Sequence, residues 1–590
     1  MSGYLVAPLC IPFDPKLCAF RRSTTTEKPC FPLIHCMANR QSPALRKSTH
    51  YQPNFWSNDC IQSLTVNSPV EEKDQTARIV LLKERIREVI CEKKEVEEQL
   101  QLIDHLQQLG VAYHFKDDIK DALTSIQGSL EDIISLQLKD TDVHVTALLF
   151  RLFRQNGFSI TDDIFKRFRD ANGQFFEVSV EGMLSLHEAA FYGKEGEAIL
   201  QEAMDFTTQN LRNLLNQGSI ITEPAGLKQK VAHALELPLN LRLERLHTRW
   251  FIQFCSQSNK DECSTTINPL LLEFAKLDFN RVQDTHKKEL SKLSRWWSDL
   301  GLAQCLPFFR DRLMTNYLST VGCAFEPEYC SFREIETKAN CFITMLDDVY
   351  DVYGNLEELE KFTDAIARWD VNAIDKLPDY MKLCFLAVFS TANEAAYEVV
   401  KQKGFNVLPY LKRAWSDLCK AFLLEAKWSH EKYTPTVAEY LENGWVSISG
   451  HIFLTHAYCM SPYVTKSDLE KFSTYPQFLQ WSSMNFRLCN DLVEMGRSDG
   501  CSAIQCLMQE KQVSEAEARE LIKEMIMANW RAMNGDRMNY ATLFEENFKI
   551  CAINLDRMAQ FFYRGIDRYS EADGEIKDLV TSLLVEPIEL

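Results

Sequence analysis

The chain has 590 residues, more than one hydrophobic core can organise, so we expect two domains and an additional segment. Its 46% hydrophobic and 25% charged residues are ordinary for a soluble globular protein. The net charge of −18 argues against nucleic acid as a partner, because phosphate backbones bind basic surfaces. An anionic substrate stays compatible with this charge, since a divalent metal ion can invert the local field.

The 19 cysteines are scattered, without a C-x-x-C pair or a zinc-type cluster with histidine. This pattern predicts reduced thiols in an intracellular compartment. No apolar run approaches the roughly 18 to 20 residues that span a bilayer, so stable membrane insertion is not expected.

The first 45 residues differ from the rest in composition. They contain six prolines, a Ser-Thr-Thr-Thr run at 23–26, five basic residues and only two acidic residues. This composition is typical of an organelle transit peptide, whereas a secretory signal carries a compact apolar stretch. We therefore predict a plastid (chloroplast) transit peptide over residues 1–45. An unstructured tail without a targeting role is the alternative.

Helical periodicity dominates from Glu71 onward. Apolar residues recur at spacings of three and four up to Leu109, and Gly110 is a typical C-terminal cap. Similar amphipathic stretches recur through 142–156, 182–205, 226–254 and 268–301, and strand-like alternation is scarce.

The polar stretch Ser256–Thr266 is the best linker candidate. Beyond it, long helical patterns run almost to the C-terminus, with breaks near Gly354, Gly404, Gly450 and Gly500. No repeat of fixed period is present in the sequence. The prediction is an all-α protein of two domains.

An apolar helical run from Phe342 to Leu346 ends in three carboxylates, Asp347, Asp348 and Asp351. In a helix, Asp347 and Asp351 lie one above the other, while Asp348 points about 100° away. Stacked carboxylates suit Mg²⁺ or Mn²⁺, which complete their coordination with water and substrate phosphate oxygens. The pattern predicts a metal-bound diphosphate at the mouth of an apolar pocket; an acidic helix end before a glycine turn is the alternative.

A second polar helix face carries Asn490, Glu494 and Ser498 at i, i+4 and i+8, one turn after Arg487. Across a helical bundle, this stripe can supply further metal ligands, although a solvated surface face gives the same pattern. Arg310 and Arg312 are two further cations suited to binding diphosphate, or to pairing with surface acids.

These segments together resemble the angiosperm monoterpene synthases among plant terpene synthases, from Arg46 to the C-terminus. Arg46-Lys47 followed by eight residues and Trp56 is similar to the tandem-basic-x8-Trp motif of that family, with Lys in the second position. Arg295-Trp-Trp297, Arg310-Asp-Arg312, the 347–354 segment and Arg487-Leu-Cys-Asn-Asp-Leu492 follow in family order.

The resemblance implies a class I terpene synthase fold, with a non-catalytic helical domain over 46–267 and a metal-binding catalytic bundle over 268–590. It implies a three-metal site, with Asp347 and Asp351 the favoured direct ligands. No Asp-x-Asp-Asp motif for protonation-initiated cyclisation is present in the sequence. The resemblance also implies that three arginines contact the diphosphate: Arg310, Arg312 and Arg487. It implies that the N-terminal segment with Arg46, Lys47 and Trp56 closes over the site. It implies a helix break that aims backbone carbonyls at a carbocation, at Ser447, Ser449 and Gly450.

Three positions depart from the family pattern. The second metal motif is about four residues short and runs Asn490, Glu494, Ser498, where Ser or Thr and then Glu are expected. Ser319 stands where cyclising relatives carry Trp, whereas Asn340 matches limonene- and cineole-forming relatives. The loop Tyr563-Arg-Gly-Ile-Asp567-Arg lacks glycines on both sides of the aspartate. Phe486, Tyr563 and Trp297 are the aromatic residues that we expect in the carbocation pocket.

The leading hypothesis is a monomeric plastid lyase that converts geranyl diphosphate to a C10 product, with acyclic ocimene, myrcene or linalool types slightly favoured. Cyclic limonene or cineole types, and a C5 or C15 synthase, stay open. A catalytically impaired homologue that binds a partner or a prenyl diphosphate is the hypothesis from a different class. An all-helical scaffold protein is disfavoured by the transit-like N-terminus.

Overall fold

The computed structural model describes residues 56–64, 69–92, 95–134, 143–176, 178–217, 225–257, 267–461, 463–493, 501–539, 546–569 and 574–590. All of them fall within one compact unit, Ala44–Leu590. Within these ranges the secondary structure is helical apart from one isolated bridge between Arg169 and Phe175. The predicted all-α class is confirmed, and the predicted transit peptide lies outside the described residues.

The N-terminal region contains mostly short and medium helices. Helices α6, α7 and α8 pack successively against one another, and α3 packs on α6. The helices are α1 (Asn58–Gln62), α2 (Pro69–Glu92), α3 (Val96–Gln108), α4 (Lys116–Gly128), α5 (Leu130–Asp132), α6 (Val143–Gln155), α7 (Val180–Ala190), α8 (Ala198–Gln217), α9 (Ala225–Glu236) and α10 (Glu244–Gln257).

The C-terminal region contains the longest helices. They are α11 (Pro269–Leu300), α12 (Leu302–Cys305), α13 (Leu313–Cys323), α14 (Cys330–Asp348), α15 (Leu356–Arg368), α16 (Asp379–Lys403), α17 (Leu408–Glu431), α18 (Val437–Ser447), α19 (Gly450–Met460), α20 (Lys466–Lys471), α21 (Gln477–Val493), α22 (Ala503–Lys511), α23 (Glu515–Asn539), α24 (Glu546–Phe562) and α25 (Gly574–Leu584).

Local sequence sets the ends of these helices. Asn268 caps α11 by accepting the N–H of Leu270 at 3.0 Å, Pro269 occupies the first turn, and Gly301 ends the helix in the left-handed conformation. Gly110 and Gly404 likewise have positive φ after α3 and α16. These stops agree with the sequence predictions at Gly110 and Gly404. The predicted break near Gly500 lies outside the described residues.

Two of the predicted amphipathic stretches are each divided. The stretch 182–205 is interrupted between α7 and α8, and 226–254 is interrupted around Pro238 before the short 3₁₀ turn Leu239–Leu241. The interruptions contain helix-breaking residues, Gly193 and Gly196 in the first and Pro238 in the second, which the prediction from apolar spacing did not take into account. The candidate linker begins inside α10, since Ser256 and Gln257 are helical, and residues 258–266 are outside the described part.

The two helical regions are joined by buried polar contacts. Asp278 on α11 accepts hydrogen bonds from Tyr113 at 2.8 Å and contacts Nε2 of His114 at 2.9 Å. Near the C-terminus, Arg249 of α10 donates to the carbonyl of Glu586 at 2.7 Å. Burial of Asp278 among these donors fixes the N-terminal helices against the base of α11.

The C-terminal helices form a closed bundle. Helix α14 packs on α13, α13 on α24, and α24 on α21; α21 packs on α18, α18 on α17, and α19 packs back on α14. Helix α16 covers the outside of α14 and is long and apolar enough to span a membrane by length and composition. Core helices of soluble proteins pass the same test, and Phe385, Val388 and Ala392 of α16 are fully buried in the bundle.

Candidate active site

Three carboxylates cluster where α14 ends. Asp347 and Asp348 occupy its last turn, and Asp351 lies in the π-helical turn Val349–Tyr353. Gly354 closes this turn by donating its N–H to the carbonyl of Val349 at 2.8 Å. Single π turns often occur at functional sites, because they redirect side chains without ending the helix.

Arg310, in the loop before α13, binds two of these carboxylates. Its backbone N–H donates to Oδ2 of Asp348 at 2.7 Å, its Nε lies 3.0 Å from Oδ1 of Asp348, and its Nη2 contacts Asp347. Asp348 is 1% exposed, whereas Asp347 and Asp351 are accessible. Asp348 therefore orients Arg310, and Asp347 and Asp351 are available to a ligand; the metal role assigned to Asp348 stays a prediction.

Glu425 on α17 is a fourth carboxylate, which sequence reasoning missed. It accepts hydrogen bonds from Ser447 Oγ at 2.5 Å and from Asn443 Nδ2 at 3.2 Å. Burial raises the pKa of Glu425, and the Asp347 carboxylate adds to this rise against the opposing Arg487. Its signal in the sequence was a lone acid inside the apolar segment 421–426.

The neighbouring carboxylates also change the acidity of Asp351. Although Asp351 is accessible, enclosure by the protein raises its pKa well above the ordinary range, and Asp347 and Glu425 raise it further. Arg310 opposes this shift. Mutually repelling carboxylates of this kind favour binding of a cation.

Arg487 and Asn490 lie on α21, across the bundle from α14. Arg487 donates to Asn490 Oδ1 at 3.2 Å, to Ser447 Oγ at 3.0 Å and to the carbonyl of Gly444 at 3.3 Å. The neighbouring Asp491 is fully buried and accepts hydrogen bonds from Tyr440 and from the first N–H of α22, each at 2.9 Å. Asp491 therefore fixes α22, and Asn490 is the ligand candidate on this helix. The predicted ligands Glu494 and Ser498 lie outside the described residues.

The predicted helix break is present between α18 and α19. Ser449 has a φ of +71°, in the left-handed region, and Gly450 begins α19. A Cβ at Gly450 would lie 2.6 Å from Ser483 Oγ, so only glycine permits this approach of α19 to α21. The break leaves Ser447 at the end of α18, beside Glu425 and Arg487.

One wall of the pocket is polar and is organised by Tyr569, another residue that the sequence did not reveal. The hydroxyl of Tyr569 lies 2.6 Å from both Thr344 Oγ1 and Asn316 Oδ1, and so joins α14 to α13. Ser319, one turn below Asn316, is half-buried, and its hydroxyl donates to the carbonyl of Thr315. Asn340 lies one turn below Thr344 on α14. Ser319 and Asn340 therefore lie on two helices, α13 and α14, that pack against each other, and their roles in selecting the product stay predictions.

Of the predicted aromatic residues, Phe486 and Tyr563 are brought together, with ring centroids 5.8 Å apart. Trp297 lies elsewhere. It packs on Phe309 and Phe342 and donates to Asp311, and Phe342 is on the opposite face of α14 from Asp347. Of the N-terminal motif, Trp56 is half-buried against the core beside α1, whereas Arg46 and Lys47 lie outside the described residues.

This donor set fits a hard divalent cation. Asp347, Asp351 and Glu425 offer only oxygen atoms, in an environment made negative by their proximity. No three such side chains among the described residues converge closely enough to enclose an ion by themselves. That openness fits Mg²⁺ or Mn²⁺, which retain water and take phosphate oxygens of a substrate.

Two family descriptions match the chain: "Terpene synthase, N-terminal domain" over residues 55–235, and "Terpene synthase family, metal binding domain" over residues 298–532. Monoterpene synthase 8, chloroplastic, from Hedychium coronarium is 58% identical over the full length of both chains. The chain belongs to the terpene synthase family. The second match spans Arg310, the Asp347–Asp351 cluster, Glu425 and Arg487, so the recess described above is in the metal-binding part of a terpene synthase.

Solved terpene synthases share the whole fold. A limonene synthase with 2-fluorolinalyl diphosphate has a TM-score of 0.86 and 36% identity, covering 92% of this chain and 100% of that one. Isoprene synthase from grey poplar, in complex with three Mg²⁺ ions and dimethylallyl-S-thiolodiphosphate, has a TM-score of 0.81 and 40% identity, covering 91% of this chain and 99% of that one. The predicted class I terpene synthase fold is confirmed.

The predictions of a lyase and of a monoterpene synthase relationship are likewise confirmed. This terpene synthase uses a divalent metal ion and acts on a prenyl diphosphate. The chloroplastic relatives confirm the predicted plastid location.

Proposed function

We propose that this terpene synthase converts geranyl diphosphate to a C10 monoterpene with Mg²⁺ or Mn²⁺, through the catalytic part 268–590. The observation that carries the proposal is the convergence of Asp347, Asp351 and Glu425 with Arg310 and Arg487 at one end of a closed bundle. A recess with both acidic and basic side chains suits a diphosphate together with its metal ions better than it suits a metal ion alone or a diphosphate alone.

Each charged group then has a distinct task. Asp347, Asp351 and Asn490 would hold the metal ions, and Glu425 would add negative charge behind them. Bound metal would make diphosphate a better leaving group. Arg310 and Arg487 bind the diphosphate oxygens from opposite sides of the bundle. Because Asp348 and Ser447 already hold these two arginines, little conformational entropy is lost when the substrate binds.

We infer an acyclic product, of the ocimene, myrcene or linalool type, as slightly favoured. Ser319 offers no aromatic face to a cyclic cation, and cation–π contacts contribute about 0.5–2 kcal/mol. Asn340 on the facing helix matches cyclising relatives, so limonene or cineole types are the competing outcome. The hydroxyls of Ser319 and Tyr569 make this wall able to orient water as well as a hydrocarbon.

The shortened second metal motif supports the remaining alternatives. With Thr or Ser missing at position 494, a weakly held third metal would give a slow or impaired enzyme. Ser498→Glu restores the expected acid. If metal binding limits turnover, this variant is more active than wild type; if the protein is a non-catalytic homologue, the variant is also without activity. A C5 or C15 substrate is tested in the same assay.

The test is incubation of the full chain with Mg²⁺ or Mn²⁺ and C5, C10 and C15 prenyl diphosphates, followed by gas chromatography–mass spectrometry. We expect a C10 product that disappears in Asp347→Ala and Asp351→Ala. A folded wild-type protein that makes no product from any of the three substrates would overturn the proposed activity. If only the C5 or the C15 diphosphate gave a product, that diphosphate would be the substrate in place of geranyl diphosphate.

A further inference from the structure

A buried pair of ionisable side chains, Glu336 on α14 and His456 on α19, lies below the residues assigned so far. His456 Nδ1 is 2.6 Å from Glu336 Oε2, and the two side chains are 1% and 0% exposed. The other polar atom of each, Oε1 of Glu336 and Nε2 of His456, is buried without a hydrogen-bond partner among the described residues. A buried polar atom without a partner destabilises the folded protein, and groups of this kind often have a catalytic role.

Helix geometry places Glu336 on the side of α14 that faces the active site. Glu336 precedes Asn340 by four residues and Asp347 by eleven residues. Eleven residues turn a helix through three full turns plus about 20°, so Glu336 and Asp347 share one face, about 16 Å apart along the axis. Glu336 therefore lies beneath the hydrocarbon end of the pocket, away from the diphosphate.

His456 lies on α19, which packs against α14. It follows the helix break at Ser449 by seven residues, or about two turns, and Phe453 by three residues. Phe453 packs edge-on against Phe332 of α14, at a centroid distance of 5.6 Å, so these faces of α14 and α19 meet. Asn340 thus lies one turn above Glu336 on α14, and the Phe332–Phe453 contact lies on the other side of the pair, about one turn below Glu336.

The chemistry of the pair is that of a proton acceptor. When the Nδ1–H of an imidazole donates to a carboxylate, the tautomer is fixed, and Nε2 keeps a lone pair. Burial raises the pKa of Glu336, and His456 opposes that rise. Such a pair takes up a proton at Nε2 and stabilises the resulting imidazolium against the carboxylate.

We propose that His456, positioned by Glu336, accepts the proton that ends the reaction, and this inference rests on the proposed monoterpene synthase activity. In that step a C–H bond next to the cationic carbon breaks and its electron pair forms the new C=C bond. The proton moves to Nε2 of His456. The competing acceptor is the departed diphosphate, which Arg310 and Arg487 hold at the opposite end of the pocket.

A route for the proton continues beyond the pair. A recess of about 520 Å³, measured out to open solvent, is lined by Cys323, Glu326, Phe332 and Ala457, next to Glu336 and His456 in sequence or in space. Burial raises the pKa of the Cys323 thiol, and the Cys551 thiol and the Glu336 carboxylate raise it further. Glu326 is half-buried at this recess, and burial raises its pKa to about 7. The proton can therefore leave at the end of the bundle opposite the metal ions.

The test compares the full chain with two variants that keep the internal hydrogen bond. His456→Asn retains a side-chain N–H where Nδ1 was but removes the Nε2 acceptor, and Glu336→Gln retains an oxygen acceptor but removes the charge. His451→Gln is the matched control, because His451 lies on another face of α19 and its Nε2 bonds to the carbonyl of Ala414 at 3.0 Å. Each protein receives geranyl diphosphate and Mg²⁺, and products, KM, kcat and melting temperature are measured.

We expect both variants to lower the ratio of olefin to water-captured alcohol at least fivefold, with KM within twofold of wild type, while His451→Gln keeps the wild-type ratio. An unchanged ratio in both folded variants would assign proton removal to the diphosphate and overturn the proposal. If His456→Asn does not fold, Glu336→Gln alone decides between these outcomes. A wild-type protein without any product instead contradicts the proposed activity, which is a separate result.

Discussion

The backbone N–H and the guanidinium of Arg310 both bind the buried carboxylate of Asp348, at 2.7 Å and 3.0 Å. Asp348 thus holds Arg310 in place while Arg310 also reaches Asp347. Of the three aspartates at the end of α14, one therefore orients a cation that we assign to the diphosphate, and the other two face the recess.

Asp348→Asn tests this division of roles. The amide still accepts the backbone N–H of Arg310 but removes one of the two carboxylate charges that the buried guanidinium contacts, so that only Asp347 is left. Breaking a buried ion pair costs roughly 3 kcal/mol. We expect a clear drop in melting temperature and at least a tenfold loss of kcat/KM, measured by thermal unfolding and product formation. The metal concentration for half-maximal activity should stay within twofold of wild type; a large rise would instead make Asp348 a metal ligand.

Glu425→Gln tests the carboxylate that the sequence did not reveal. The amide oxygen still accepts the hydroxyl of Ser447, so the variant removes charge with little change of shape. We expect the metal concentration for half-maximal activity to rise about tenfold, since loss of a group that supports metal ligands typically costs 10- to 100-fold in affinity. Glu442→Gln, at an exposed position of α18, is the control and should match wild type. If Glu425→Gln and wild type showed the same metal dependence, the role of Glu425 would be only to position Ser447.

Asp351 makes the stability of the metal-free protein depend on pH. Its raised pKa means that the folded protein favours the neutral carboxyl. Its contribution is therefore fully present below the unfolded pKa of about 3.9, and is lost as pH rises through the raised folded value.

Asp351→Asn keeps that position neutral at every pH. In chelator, we expect the variant and wild type to unfold alike at pH 4, and the variant to be more stable at pH 8. Because Asp351 is accessible, solvent screening limits the difference to about 1 kcal/mol. Added Mg²⁺ should stabilise wild type more than the variant. A wild-type protein that is the more stable of the two at pH 8 without metal would contradict this sign.

The sequence predicted those features that follow from local patterns. Spacing of apolar residues gave most of the long helices, and Gly110 and Gly404 marked helix ends. The Asp347–Asp351 and Arg487–Asn490 groups were recognisable because each lies within a few residues along one helix. Glu425, Tyr569 and the Glu336–His456 pair were not predicted, because each acts with partners that are 22 to 253 residues away in the chain. For Trp297 the sequence showed an aromatic residue but not its position. In the structure it packs against the face of α14 opposite Asp347.

Ser319→Trp tests whether the pocket wall on α13 determines the product. Ser319 is half-buried, and its hydroxyl donates to the carbonyl of Thr315 in its own helix, so among the described residues its replacement removes no hydrogen bond between helices. An indole there faces Asn340 and offers a cation–π surface of about 0.5–2 kcal/mol, which corresponds to roughly a 2- to 30-fold change in the partition between products. We expect cyclic products to rise by that factor, as measured by gas chromatography–mass spectrometry. Ser319→Phe should give a smaller shift in the same direction, because the phenyl face is the weaker cation partner. A fall in total product with the same cyclic fraction would mean that Trp only fills the pocket, and would remove Ser319 from the residues that select between acyclic and cyclic cations.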